Sequence, residues 1–327
     1  MKIAINGFGR IGRALLRAVI DRPDSGLKVT HINDLASIDA MAHLFEFDSV
    51  HGRFRGDVVV DGEYLLINGQ AIKVSAKRNL SDLTWPDVDY VCECTGLFTT
   101  KAELQAHIQA GAKRVLLSAP SLDTDVMVVY GVNHQDIQNH KVISNASCTT
   151  NCLAPVVHVL HKAFDFMDGS MVTVHSYTSD QRLVDAVHPD LRRARAAGLS
   201  MIPTKTGAAK AIGAVIPELD GRLDGYALRV PTANVSLVDL TCRLAKSPTV
   251  LEVAKVLKAA CENEMKGIMA YSEKPLVSID YNHQPYSATV DGLEIKKVGA
   301  LYKILAWYDN EWGFVNRMID VMVYAKV

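Results

Sequence analysis

Ser147-Cys148-Thr149-Thr150-Asn151 places a thiol between an apolar strand pattern and a helical one. Cys148 falls in the first turn of that helix, where the partial positive charge of the helix N-terminus favours a thiolate and lowers the thiol pKa. A thiolate attacks carbonyl carbon, and backbone N–H groups of the same turn can hold the oxyanion that results. The competing reading is a buried core thiol. The polar neighbours favour the nucleophile. Cys152, one turn deeper, reads as buried and inert.

A second cluster stands at the N-terminus. Gly7-Phe8-Gly9-Arg10-Ile11-Gly12 follows a strand pattern and opens a helical one. Gly7 permits a tight turn, Gly9 lets the backbone approach a pyrophosphate, and Gly12 lets helix and strand pack closely. The N–H groups of Arg10, Ile11 and their neighbours would face the phosphates. The next strand ends at Asn33-Asp34, where an acid can bond the adenosine ribose hydroxyls and repel a 2′-phosphate. That favours NAD over NADP. Arg78 is a further candidate for the adenine or a phosphate, balanced against a solvated surface arginine. Thr95, Gly96 and Ser118 lie at strand ends where a dinucleotide would cross the sheet.

These groups need a frame. Up to about residue 147, short apolar strands (3–6, 27–33, 90–94, 114–118, 127–130, 141–144) alternate with helical patterns over 10–21 and 37–45. Alternation of this kind predicts a doubly wound parallel sheet. Val58–Val60 and Tyr64–Ile67 form a hairpin pattern about Asp61-Gly62. A helix follows over 149–166. Longer strands come next (171–177, 225–230, 235–244, 302–308), predicting a mostly antiparallel sheet, and a last helix spans 312–324. The expected fold class is therefore α/β joined to α+β. Residues 1–147 form a dinucleotide-binding domain completed by the C-terminal helix 312–327, and residues 148–311 a catalytic domain.

The 327 residues suit two domains, and their 49% hydrophobic and 22% charged content suits a soluble globular chain. A net charge of −1 gives no broad pull toward nucleic acid or anionic membrane. No apolar run is long enough to span a bilayer, and no leader pattern precedes the first strand, so the expected location is the cytoplasm. The six cysteines include no CxxC pair and no histidine cluster with zinc spacing, so no metal is expected.

The chain resembles the glyceraldehyde-3-phosphate dehydrogenase family, of bacterial phosphorylating type. The resemblance rests on Ser147-Cys148-Thr149-Thr150-Asn151 together with Asn6 to Gly12, Asp48-Ser49-Val50-His51-Gly52, Thr206-Gly207-Ala208-Ala209-Lys210, Arg229-Val230-Pro231-Thr232 and Trp307-Tyr308-Asp309-Asn310-Glu311. It covers essentially the whole chain in the right order. It implies that Cys148 is the nucleophile and His175 its catalytic partner, although a lone histidine is otherwise usually structural. The two would be stabilised together as thiolate and imidazolium. Thr178 and Arg229 would hold the phosphate of a sugar-phosphate aldehyde. Ser147, Thr149, Arg193, Thr206 and Gly207 would hold the attacking inorganic phosphate. Arg193, in the charged run 191–195, reads on its own as part of a solvated loop. Asn310 would bond the nicotinamide amide. A homotetramer is implied, with 178–201 as interface loop.

Some residues depart from the family's commonest patterns. Ala186-Val187 stands where strictly NAD-dependent bacterial members tend to carry Leu-Pro, which keeps NADP in view as a less favoured cofactor. His188-Pro189-Asp190-Leu191-Arg192-Arg193 and 282–292 resemble the sister group that oxidises erythrose 4-phosphate. Against that alternative, Thr206-Gly207-Ala208-Ala209-Lys210 keeps the triose-phosphate pattern. A non-catalytic binding protein on the same fold is a third reading, disfavoured by the complete cysteine, histidine and phosphate set.

Overall fold

The computed structural model describes residues 1–326. The chain divides into two compact units. One comprises residues 1–128, 134–146 and the stretch from Val315; the other comprises 129–133 and 147–314.

The first unit begins with β1 (Lys2–Asn6), α1 (Arg10–Asp21), β2 (Lys28–Asn33) and α2 (Ile38–Glu46). It continues through β3 (Val58–Asp61), β4 (Tyr64–Ile67), β5 (Gln70–Ser75), β6 (Val88–Glu93), α3 (Lys101–Gln109), β7 (Ala112–Leu117), β8 (Val126–Met127) and β9 (Val142–Ser144). The sheet order is β3-β4-β5-β2-β1-β6-β7-β9-β8. The strands from β5 to β8 in that order pair in parallel, as alternation with helices demands. β1 is buried after its first residue, with Ile3, Ala4 and Ile5 fully enclosed, as befits a central strand covered on both faces. α1 turns Leu15, Leu16 and Val19 inward. Ser37 caps α2, accepting from the Ala40 N–H at 3.3 Å.

The structure corrects two expectations. The strand expected over 127–130 is only Val126–Met127, because Asn133 Oδ1 accepts the Val129 N–H and the chain turns there. β5 is not among the expected strands. Its polar alternation hides it, yet the Asn68-Gly69 turn before it, with both φ positive, is a hairpin signal as plain as Asp61-Gly62.

The second unit contains α4 (Cys148–Phe164), β10 (Phe166–Ser176), β11 (Ile202–Thr204), α5 (Ile212–Val215), β12 (Leu223–Val230) and β13 (Ser236–Leu244). α6 (Val250–Glu262), β14 (Met269–Ser272), β15 (Ala288–Asp291), β16 (Lys296–Val298) and β17 (Leu301–Tyr308) follow, and then α7 (Trp312–Tyr324) begins. Its sheet runs β11-β12-β10-β13-β17-β15-β14, with β16 on β17. Pairing is antiparallel except for β10 with β12 and β14 with β15, so the sheet is mixed. α4 ends at Phe164 rather than 166, because Asp165 takes a left-handed conformation and Phe166 opens β10. β10 and β13 carry the alternation of a half-buried antiparallel pair.

Candidate active site

The thiol centre lies within the second unit. Ser147 is the N-cap of α4, its Oγ accepting the Thr150 N–H at 3.0 Å, so Cys148 occupies the first helical position. β10 delivers His175 one residue from its C-terminal end. β12, paired in parallel with β10, sets Arg229 directly across from His175. Cys148 Sγ is 3.5 Å from His175 Nε2. Arg229 Nη1 lies 2.8 Å from His175 Nδ1 and donates to the Ser176 carbonyl at 2.9 Å, while that carbonyl is 2.7 Å from Nδ1. Nδ1 thus sits between a donor and an acceptor, and either ring tautomer has a partner. With the proton on Nδ1, Nε2 can take a proton from the thiol. With the proton on Nε2, it can donate to an oxyanion.

Electrostatics correct one expectation. The helix N-terminus does not leave Cys148 with a lowered pKa. Burial pushes the thiol up, against the pull of Arg229 and of hydrogen bonds from Thr149. Burial, and then Arg229, likewise push His175 down to about 3. Either charge alone is disfavoured. Moving one proton across the 3.5 Å contact ionises the pair together and leaves no net charge to desolvate.

Thr149 is buried, its Oγ1 2.8 Å from the Tyr308 hydroxyl, which also meets Thr173 Oγ1 at 2.8 Å. Tyr308 turns its edge to the His175 ring at 6.0 Å. Burial holds its hydroxyl protonated, with a pKa well above the usual phenol value. Sequence reasoning assigns this residue no role, although it sits in the Trp307-Tyr308-Asp309-Asn310 motif.

Arg229 Nε is buried with no hydrogen-bond partner among the described residues. A buried guanidinium N–H without an acceptor is costly, and an incoming anion would satisfy it. Arg193 is not the solvated loop residue that its charged run suggests. Its Nε donates to Thr204 Oγ1 at 2.9 Å and Nη1 pairs with Asp180 at 2.6 Å, which holds the fork beside the Thr206-Gly207 turn. Thr206 Oγ1 accepts the Ala208 N–H at 3.2 Å. The Thr178 N–H donates to Gln181 Oε1 at 3.3 Å. Asn310 is buried, and its Oδ1 accepts from Ser176 and Ser236 at 2.9 Å each, leaving the amide N–H₂ as the group it can offer.

The nucleotide end lies in the first unit. A cavity of about 490 Å³ is lined by Gly7, Gly9, Asp34, Arg78 and Thr95, with Asn6, Asn33 and Lys77 among its other walls. Sequence reasoning misses the last three; each sits at or just beyond a strand end, which is where such residues can be sought. A methyl group on Gly7 would lie 2.6 Å from the Thr95 nitrogen, and one on Gly12 2.2 Å from the Gly7 carbonyl. Both glycines are therefore required by close approach, whereas the space beside Gly9 is open, as a phosphate neighbour needs. Asp34 accepts the Phe8 N–H at 2.7 Å and the Ala36 N–H at 2.9 Å, which steadies the glycine turn. Ile11 and Gly12 stand in the first turn of α1. Gly96 has φ +71°, and the Ser118 N–H donates to the Glu93 carbonyl at 3.0 Å. Arg10 is turned to Asp48 at 2.6 Å rather than held free for a phosphate. The cavity, its acid and its glycine turn fit a dinucleotide.

A dinucleotide-type sheet in one unit and a thiol–imidazole pair with a half-buried arginine in the other are what an NAD-linked aldehyde dehydrogenase requires. Residues 1–101 match the family model for the glyceraldehyde 3-phosphate dehydrogenase NAD binding domain, and residues 147–310 match that for the C-terminal domain. The plasmid-encoded glyceraldehyde-3-phosphate dehydrogenase of Cupriavidus necator is 56% identical, across 99% of this chain and 98% of its own. Those of Zymomonas mobilis and Geobacillus stearothermophilus are 53% and 52% identical, covering 98% and 99% of this chain and 97% and 98% of their own lengths. The chain belongs to the glyceraldehyde-3-phosphate dehydrogenase family.

Proposed function

We propose that this chain oxidises D-glyceraldehyde 3-phosphate to 1,3-bisphosphoglycerate with NAD and inorganic phosphate, through a thioester on Cys148. The observation that carries this reading is the Cys148–His175 contact with Arg229 Nη1 against the imidazole, while the buried Arg229 Nε has no hydrogen-bond partner among the described residues. Residues 1–147, with the C-terminal stretch from 312 that holds α7, serve as the NAD-binding domain, and residues 148–311 as the catalytic domain; residue 327 of the expected 312–327 helix lies outside the described residues. Gly7, Gly9, Ile11, Gly12, Asp34, Arg78, Thr95, Gly96 and Ser118 hold the cofactor, Arg10 through its backbone N–H alone because its side chain is paired with Asp48, with Asn310 orienting its amide.

His175 takes the thiol proton as Cys148 attacks the aldehyde carbon. The α4 N-terminal N–H groups and protonated His175 stabilise the alkoxide, and His175 returns its proton to it, giving the neutral thiohemiacetal hydroxyl. NAD, when bound, supplies the hydride acceptor. His175 receives the hydroxyl proton as the thiohemiacetal becomes a thioester. Thr178 and Arg229 anchor the substrate phosphate bidentately. Ser147, Thr149, Arg193, Thr206 and Gly207 place inorganic phosphate for attack on the thioester; the C–S bond breaks, Cys148 leaves as a thiolate beside protonated His175, and the oxidation energy is conserved as an acyl phosphate.

The assembly is a homotetramer in this proposal, and the location cytoplasmic. Leu183, Val184, Val187, Leu191, Leu199 and Met201 are largely exposed in one short segment, an apolar surface that a second copy would cover.

The deciding measurement follows NADH formation with glyceraldehyde 3-phosphate and with erythrose 4-phosphate, each with and without inorganic phosphate. Fast, phosphate-dependent turnover of the triose is expected. Preference for the tetrose without phosphate would overturn the assignment.

A further inference from the structure

A polar relay crosses the first unit's sheet along the last residues of four neighbouring strands. Ser75 Oγ and the Lys77 N–H donate to Asn33 Oδ1 at 2.9 and 2.8 Å. Asn33 Nδ2 donates to Asn6 Oδ1 at 2.8 Å, and Asn6 Nδ2 to Glu93 Oε2 at 2.6 Å. The other Glu93 oxygen accepts the Thr95 N–H at 2.8 Å and the Thr95 hydroxyl. From behind, His107 Nε2 reaches Glu93 Oε2 at 3.0 Å, and Trp85 Nε1 reaches His107 Nδ1 at 3.1 Å. Indole N–H only donates, so His107 Nδ1 is the acceptor and the proton sits on Nε2, aimed at Glu93. Glu93 and His107 are both fully buried.

No step of the chemistry above uses this carboxylate. It nonetheless bonds two adjacent turns that both line the nucleotide cavity. Asn6 leads into Gly7, and Thr95 is the residue against which Gly7 packs so closely that a methyl group would come within 2.6 Å. Asn6, Asn33, Lys77 and Thr95 all line the cavity.

We propose that Glu93 is a positioning residue for the cofactor: its buried carboxylate, fixed from behind by His107 and Trp85, sets the spacing between the Asn6-Gly7 turn and the Thr95-Gly96 turn. A carboxylate is required because four donors converge on it and each oxygen takes two. A glutamine presents one oxygen and one N–H₂. Facing Asn6 and His107, its N–H₂ meets donors that Asn33 and Trp85 hold in place. Facing Thr95, it meets a backbone N–H that cannot turn away. At least one pair is left unsatisfied in either orientation.

The inference rests on NAD as the cofactor, and the parent chain's own NAD titration tests that separately. Calorimetric NAD titrations of Glu93→Gln, Trp85→Phe and the double variant test the relay, with the Cys148 alkylation rate reporting the integrity of the other unit. Glu93→Gln is expected to weaken NAD binding about tenfold or more, the scale of one unsatisfied buried polar pair. KM for NAD should move more than kcat. Trp85→Phe, remote from the cavity, frees the His107 tautomer and should weaken binding about threefold. The double variant should bind no worse than Glu93→Gln alone, because both act on one carboxylate. A folded Glu93→Gln with NAD affinity within about twofold of the parent overturns the proposal, as do independent, multiplying losses. If Glu93→Gln fails to fold, Trp85→Phe decides, and parent-like affinity there overturns it. If neither folds, the relay is a folding element and the proposal fails.

Discussion

In the first unit, the residues that would meet a dinucleotide stand at the ends of neighbouring parallel strands and along one glycine turn, which offers backbone groups. In the second, the groups around the thiol are side chains from distant segments. Thr149 and Tyr308 touch although 159 residues separate them, and Arg229 reaches His175 across 54. A backbone site is written in local spacing, because a turn's shape depends on its own few residues. A side-chain site depends on strand register, and a one-residue slip of β12 against β10 would turn Arg229 to the opposite face.

If the two sites are separable in this way, the largest loss belongs to the thiol alone. Cys148→Ser is expected to reduce turnover by about 10⁴-fold or more, because a hydroxyl without a strong base is a poor nucleophile. NAD affinity measured by calorimetry should stay within about twofold. Near-parent turnover would remove Cys148 from the chemistry, and a large loss of NAD binding would break the separation. His175→Asn comes next, with kcat down by about 10²–10⁴-fold, the usual worth of a positioned acid–base group. Slower alkylation of Cys148 in the same variant would show that the imidazole also supports the thiolate. An alkylation rate equal to the parent's would confine His175 to later steps.

The reverse experiment strikes the backbone site. Gly12→Ala places a methyl group 2.2 Å from the Gly7 carbonyl, an atom that cannot move without opening the glycine turn. A loss of about 3 kcal/mol in stability and weaker NAD binding are expected, with Cys148 alkylation unchanged. Stability and NAD affinity both equal to the parent's would mean that the turn is softer than the packing indicates.

The same contrast decides which features are legible in the amino-acid sequence. α1 and α7 match their expected bounds, and the capped start of α2 is visible in Ser37, because each is set by local periodicity and caps. Cys148 and the glycine turn are legible from the residues themselves. His175 and Arg193 are legible only through resemblance, whereas Arg229 is legible in part from its place in an apolar strand pattern, where an arginine, if buried, needs an anion partner. Nothing in the neighbourhood of His175 along the chain announces that β12 lies beside it. Arg193 reads as solvated until Thr204 and Asp180 are brought to it. Lowering of the Cys148 pKa fails as a local argument because burial, a property of the whole unit, outweighs the helix terminus. Glu93 escapes a reading of the sequence for the same reason: its partners come from β1, α3 and the turn after its own strand, and only the sheet order assembles them.

The smallest expected effect tests whether the glycine turn has an electrostatic brace of its own. Asp48 accepts the Val50 and His51 N–H groups at 2.8 and 2.9 Å and pairs with Arg10, the first residue of α1. Its side chain is only 6% exposed. Burial alone would raise its pKa, but the two backbone bonds and Arg10 outweigh that and hold it at about 2. A carboxylate depressed in the folded state stabilises the fold above its unfolded value, near 3.8, and loses that contribution as the pH falls through about 2. At about 1.4 kcal/mol per pKa unit, and with Arg10 partly exposed to screening solvent, the contribution at neutral pH is about 1–2 kcal/mol. Asp48→Asn should therefore lower the unfolding temperature at pH 7. The gap between parent and variant should shrink as the pH is taken from about 4 toward 2, since the asparagine does not titrate. A gap that is constant over that range would assign the effect to hydrogen bonding alone and leave the turn without a charge-dependent brace.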